Sequence, residues 1–69
     1  MPISGKQAIK ILQENGFVIA RQRGSHIVLI RRIGSIKRTT VVPVHKELKK
    51  GTIRSIAKLS GLNVKEFGL

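Results

Sequence analysis

The sequence predicts an α+β fold of order α-β-β-β-α, a three-stranded antiparallel sheet with two helices on one face. Three observations predict it. Apolar residues recur at helical spacing near both ends, three β-rich runs lie between them, and Gly24-Ser25 and Gly34-Ser35 separate those runs at hairpin distance.

Ser4 and Gln7 have the spacing of a capping box, and Ile3 and Ala8 stand at the two positions of a hydrophobic staple. Ala8, Ile9, Ile11 and Leu12 then form an apolar stripe, with Lys6, Lys10, Gln13 and Glu14 outside it. Asn15-Gly16 supplies a C-terminal stop, so the first helix is predicted over 5–14.

Residues 17–23 read as a strand with Phe17, Ile19 and Arg21 on one face and Val18 and Ala20 on the other. Gly24-Ser25 leads into a second strand over 26–32, where Ile27, Val28, Leu29 and Ile30 favour a pleated, largely buried backbone. Gly34-Ser35 suits a primed hairpin turn, and a third strand over 37–42 stops at Pro43, which cannot donate to a ladder. That turn sets His26 opposite Pro43, Ile27 opposite Val42, Val28 opposite Val41 and Leu29 opposite Thr40. Continued outward, it sets Gly24 across from His45 and places His45 diagonally from His26. A one-residue slip would carry all of these to the other face.

Residues 44–50 form a basic loop. Gly51-Thr52 opens a second helix with Thr52 as N-cap, and Ile53, Ile56, Ala57 and Ser60 form its inner stripe, joined at the edge by Leu59. Arg54 and Lys58 stand outside, and Gly61 ends it. Residues 62–67 add a short turn capped by Asn63. With no internal repeat, linker or low-complexity tract, residues 1–69 read as a single domain.

Composition narrows the function. A chain of 69 residues buries only about 60% of its unfolded surface, so modest stability is expected unless it associates. The absence of cysteine excludes disulfides and thiolate zinc ligation. No apolar run approaches the roughly 20 residues that span a bilayer, and Met1-Pro2-Ile3-Ser4 lacks the basic start and apolar middle of a signal peptide. A cytoplasmic protein with no membrane partner is therefore expected. Fourteen Lys and Arg against three Glu give a net charge of +11, which favours nucleic acid as partner through phosphate contacts and counterion release. Phe17 and Phe67 are the only aromatics, too few for a base-stacking sheet.

His26 carries most of the chemical information. An imidazole at the rim of a rigid strand can take and give a proton, although a histidine there can also be purely structural. Metal-dependent nucleolysis needs clustered carboxylates, and the chain has no Asp and three scattered Glu, so no metal and no cofactor are expected. Ser25-His26 is no serine hydrolase dyad, because strand neighbours point to opposite faces. Metal-free RNA cleavage remains feasible, since RNA brings its own 2′-hydroxyl nucleophile and asks only for positioning, proton transfer and charge stabilisation. His45 is a candidate auxiliary group. Arg21, Arg23, Ser25, Lys46, Lys49 and Lys50 are candidate RNA contacts, with a solvated edge strand and a solvated loop as the plainer alternatives. With Ile27 and Leu29 facing the helices, Val28, Ile30 and Val41 are expected on the open sheet face, either as an apolar patch covered by a partner or as the second parity that a thin two-layer fold needs for its own stability.

Taken in order, Ser4-Gly5-Lys6, Asn15-Gly16-Phe17, Arg21-Gln22-Arg23-Gly24-Ser25-His26, Val42-Pro43-Val44-His45 and Lys50-Gly51-Thr52-Ile53-Arg54-Ser55-Ile56 span nearly the whole chain. This series resembles the HicA (YcfA-like) toxins of toxin–antitoxin pairs. The resemblance implies a fold similar to a double-stranded RNA-binding domain and a metal-independent mRNA interferase with His26 as the catalytic histidine. It also implies a HicB-like antitoxin, encoded alongside, that masks the active-site region around Val28 and Ile30. Many relatives carry a polar residue near those two positions. A non-catalytic RNA-binding module of the double-stranded RNA-binding type shares the element order and charge, as does a ribosomal or nucleoid structural protein.

Overall fold

Both ends of the first helix are closed by side chains. Gln7 N–H donates to Ser4 Oγ at 3.1 Å and Ser4 N–H donates to Gln7 Oε1 at 2.8 Å, so the capping box is complete. Asn15 Nδ2 donates to the Ile11 carbonyl at 2.8 Å at the other end of this helix, α1 (Gly5–Glu14). The structure, a computed structural model, describes residues 3–69; the Met1-Pro2 part of the N-terminal reading lies outside the described residues.

Three antiparallel strands follow, β1 (Val18–Arg23), β2 (His26–Ile33) and β3 (Ile36–Pro43), in the spatial order β1-β2-β3. Helix α2 (Lys50–Ser60) and a short 3₁₀ turn (Val64–Phe67), capped by Asn63 Oδ1 accepting from Lys65 N–H at 2.9 Å, complete the α-β-β-β-α order. Gly24 (φ 58°) and Gly34 (φ 59°) each take the first central position of a two-residue hairpin turn, where only glycine is unstrained. The β2–β3 register is the expected one, with His26 opposite Pro43 and Leu29 opposite Thr40.

Both helices cover one sheet face. Ala8 and Leu12 from α1 and Ile53, Ile56 and Ala57 from α2 bury against Ile27, Leu29 and Val42. Phe17 and Phe67 fill the ends of this core, so neither ring is presented for base stacking. Thr40 is fully buried on the same face, and its Oγ1 has no hydrogen-bond partner. Arg31 and Arg38 stand directly opposite each other in the ladder, a repulsive arrangement that each side chain relieves at a helix end. The Nε of Arg31 passes 3.1 Å from where a Cβ would project at Gly16, beyond α1, and that of Arg38 passes 2.8 Å from the same point at Gly61, the C-cap of α2. The negative end of each helix dipole stabilises the cation there.

The structure corrects several expectations. Phe17 precedes β1 because its N–H is committed to the Leu12 carbonyl at 3.0 Å, closing α1. A β-bulge between Ile19 and Arg21 breaks the single-face pattern of the first strand. Ile19 pairs with Leu29 toward the helices, whereas Arg21 pairs with Val28 on the open face. No helix extends over β1 there, and Ile19 stays 48% exposed. The second and third strands each run longer than predicted, and Pro43 closes β3 as its last residue, where an edge strand needs no N–H donor. Helix α2 begins at Lys50 with Lys49 as N-cap, and Thr52 sits inside its first turn. The reason is Leu48, which is buried and donates its N–H to the Ile3 carbonyl at 2.8 Å, ending the loop earlier than the Thr52 signal implied. Leu59 points away from the core at 50% exposure.

Candidate active site

The site is built where the β2–β3 ladder runs out. His26, the first residue of β2, has Arg23 beside it on β1 and Pro43 on β3. Beyond Pro43 the chain leaves the sheet. Val44 N–H donates to the Ser25 carbonyl at 2.7 Å and His45 N–H folds back onto the Pro43 carbonyl at 2.9 Å. The expected pairing of Gly24 with His45 is therefore not made, because the turn at Val44 diverts the backbone toward α1. There Gly5 N–H donates to the His45 carbonyl at 2.9 Å. Gly5 is buried under this loop, and a Cβ at Gly5 would collide with the Pro43 carbonyl oxygen.

Despite the lost pairing, His26 and His45 line one solvent-open cavity of about 340 Å³. Lys49, Thr52 and Glu47 share its wall, with Pro43 and Leu48 supplying the apolar part. Both imidazoles are exposed. Two groups able to exchange protons and one ammonium thus face a single space, which is a sufficient set for moving a proton on and off an oxygen beside a phosphate.

The other predicted contacts divide among neighbouring surfaces. Lys46 lines a cavity of about 250 Å³ with Ser4, Lys6 and His45. Lys50 lines one of about 430 Å³, whose wall of Glu47, Leu48 and Lys49 is common to the histidine cavity. Ser25 is exposed in the β1–β2 turn, and Arg23 and Arg21 lie on the open face of β1, opposite His26 and Val28. Val28 is on that face but only 6% exposed, walled in by Arg21 and Val41; Ile30 is half-buried and Val41 is 39% exposed. Glu47 and Thr52 were not singled out from the sequence as site residues. The signal available was the position of Glu47 in the basic loop, two residues past His45.

Among the described residues no group of three or more His, Cys, Asp or Glu stands together as a metal site, and no helix is long and apolar enough to cross a membrane. Fold and cavity define a class: a small, strongly cationic α-β-β-β-α protein with two histidines at the sheet margin. A family model described as the HicA toxin of bacterial toxin–antitoxin systems matches residues 5–62, and the chain belongs to that family. Its membership makes it the toxin half of such a pair, with an antitoxin as partner. A search of curated proteins returned no match.

Proposed function

We propose that this toxin is an mRNA interferase, an endoribonuclease that cleaves its substrate in the cytoplasm without a metal or cofactor. The observation that carries the reading is the pair of imidazoles, His26 and His45, lining one cavity beside Lys49. One imidazole takes the proton of the RNA 2′-hydroxyl as that oxygen forms its bond to phosphorus. The P–O5′ bond breaks, the other group, as imidazolium, protonates the departing 5′-oxygen, and a 2′,3′-cyclic phosphate and a 5′-hydroxyl result. Lys49 offsets the charge of the pentavalent phosphorane, and Arg21, Arg23, Ser25, Lys46 and Lys50 hold the flanking backbone. In this reading the sheet-and-helix architecture works as a catalytic relative of the double-stranded RNA-binding fold, and the antitoxin silences it by covering Ile30 and Val41 on the open face beside His26.

The test compares RNA cleavage by wild type and His26→Ala in EDTA. Cleavage by wild type alone supports the proposal. Equal cleavage by both removes His26 from the chemistry, and RNA binding without cleavage by wild type assigns the chain instead to the non-catalytic RNA-binding modules.

A further inference from the structure

We infer that the cavity between the start of α2 and the segment Gly68-Leu69 is a nucleobase subsite, and that it selects guanine next to the cleaved bond. The inference rests on the proposed RNA cleavage. It starts from the wall this cavity has in common with the histidine cavity, Glu47, Leu48 and Lys49. A phosphate held at His26 and His45 has its adjoining nucleotide delivered into the second space, whose volume of about 430 Å³ lies within the roughly 300–1,000 Å³ of small-molecule sites.

Its lining suits a base rather than a second phosphate. Leu48 and Ile53 are buried and line it, and Leu69, 37% exposed, adds the more accessible apolar surface. The chain offers no aromatic for stacking, since both rings are in the core, so aliphatic surface is what can desolvate the faces of a base. Lys49 and Lys50, both exposed, share the lining and can hold the phosphates of the strand that carries the base.

Glu47 supplies the selectivity. In a chain of net charge +11 with three Glu, Glu47 lines both adjoining cavities, and its negative charge opposes the phosphate these cations attract. What an ionised carboxylate can accept is an N–H donor, through two oxygens. Guanine presents N1–H and N2–H₂ side by side and satisfies both. Adenine and cytosine place a bare ring nitrogen beside their amino group, and uracil places its N–H between two carbonyls; each sets a lone pair against the carboxylate.

The experiment has two arms on the full chain. In the first, the four nucleoside 3′-monophosphates are titrated separately while the methyl resonances of Leu48, Ile53 and Leu69 are followed. Guanosine should move these methyls and bind at least about five-fold tighter than the others, the discrimination of one good bidentate pair. Glu47→Gln, an exposed near-isosteric change, should remove that advantage. Equal response to all four bases, shifts confined to residues outside this cavity, or a preference that survives Glu47→Gln overturns the inference.

In the second arm, oligoribonucleotides differing only in the base beside the cleaved bond are compared. Wild type should favour guanine and Glu47→Gln should flatten the preference. A loss that is uniform over the four bases overturns base selection and puts Glu47 in proton transfer. If wild type cleaves nothing while the guanosine titration succeeds, the cleavage reading falls and the subsite stands.

Discussion

Gly5 N–H donates to the carbonyl oxygen of His45 at 2.9 Å, so the first residue of α1 holds the backbone of a histidine in the candidate site. The approach is close enough that a Cβ at Gly5 would also stand 2.9 Å from Val44 Cα. Backbone cannot yield there as a flexible side chain would. Gly5→Ala should therefore destabilise the fold by about 1–3 kcal/mol, the usual range for overpacking, seen as a lower urea midpoint at unchanged slope. Cleavage should fall beyond what the unfolded fraction explains, because the displaced segment carries His45.

The two histidines should behave as a unit. His26→Ala and His45→Ala are each expected to lower the single-turnover cleavage rate by about 10²–10⁴. The double variant should lose far less than the product of the two, since removing one proton-transfer group already disables the other. Full multiplicativity would mean that they act independently.

Arg21 and Arg23 lie on the open face and are absent from the lining of the histidine cavity. Their expected contribution is to phosphate binding. Replacing both by Gln should weaken RNA binding across sequences and reduce the slope of log K against log salt by about 0.7 per arginine. An unchanged slope would place the RNA elsewhere.

Thr40 gives a stability prediction with no functional component. Its Oγ1 is buried without a partner, and the penalty of an unmade hydrogen bond is roughly 1–3 kcal/mol. Thr40→Val keeps the shape and removes the orphan, so it should raise the unfolding free energy by about 1 kcal/mol, measured by urea titration.

Exposure separates the candidate antitoxin contacts. Val41→Glu and Ile30→Glu should weaken capture of the coexpressed antitoxin while leaving the protein folded. Val28→Glu, at a position 6% exposed, should instead show its loss in the thermal melt, because it buries an unpaired charge.

Much of the fold was legible because its signals are local. Ser4 with Gln7, the Gly-Ser pairs, and the stripe Ile53, Ile56, Ala57 and Ser60 each act through backbone geometry or periodicity a few residues long. The β2–β3 register followed from a two-residue turn by counting. The bulge in β1 was not legible, because Ala20 is an unremarkable strand residue and only pairing with β2 shows it to be extra. Nor was the true start of α2, where a buried Leu48 and its bond to Ile3 outweighed the favourable cap chemistry of Thr52.

The sequence by itself determined the element order, the β2–β3 register and the cationic charge, and it raised His26 as the candidate catalytic group. Only the tertiary structure decided that His45 leaves the ladder and still shares a cavity with His26, and that Glu47 and Thr52 join them. The reason is distance along the chain. Turns and stripes are set by neighbours, whereas the site is closed by hydrogen bonds from Gly5 to His45 and from Val44 to Ser25, contacts between segments that only folding brings together.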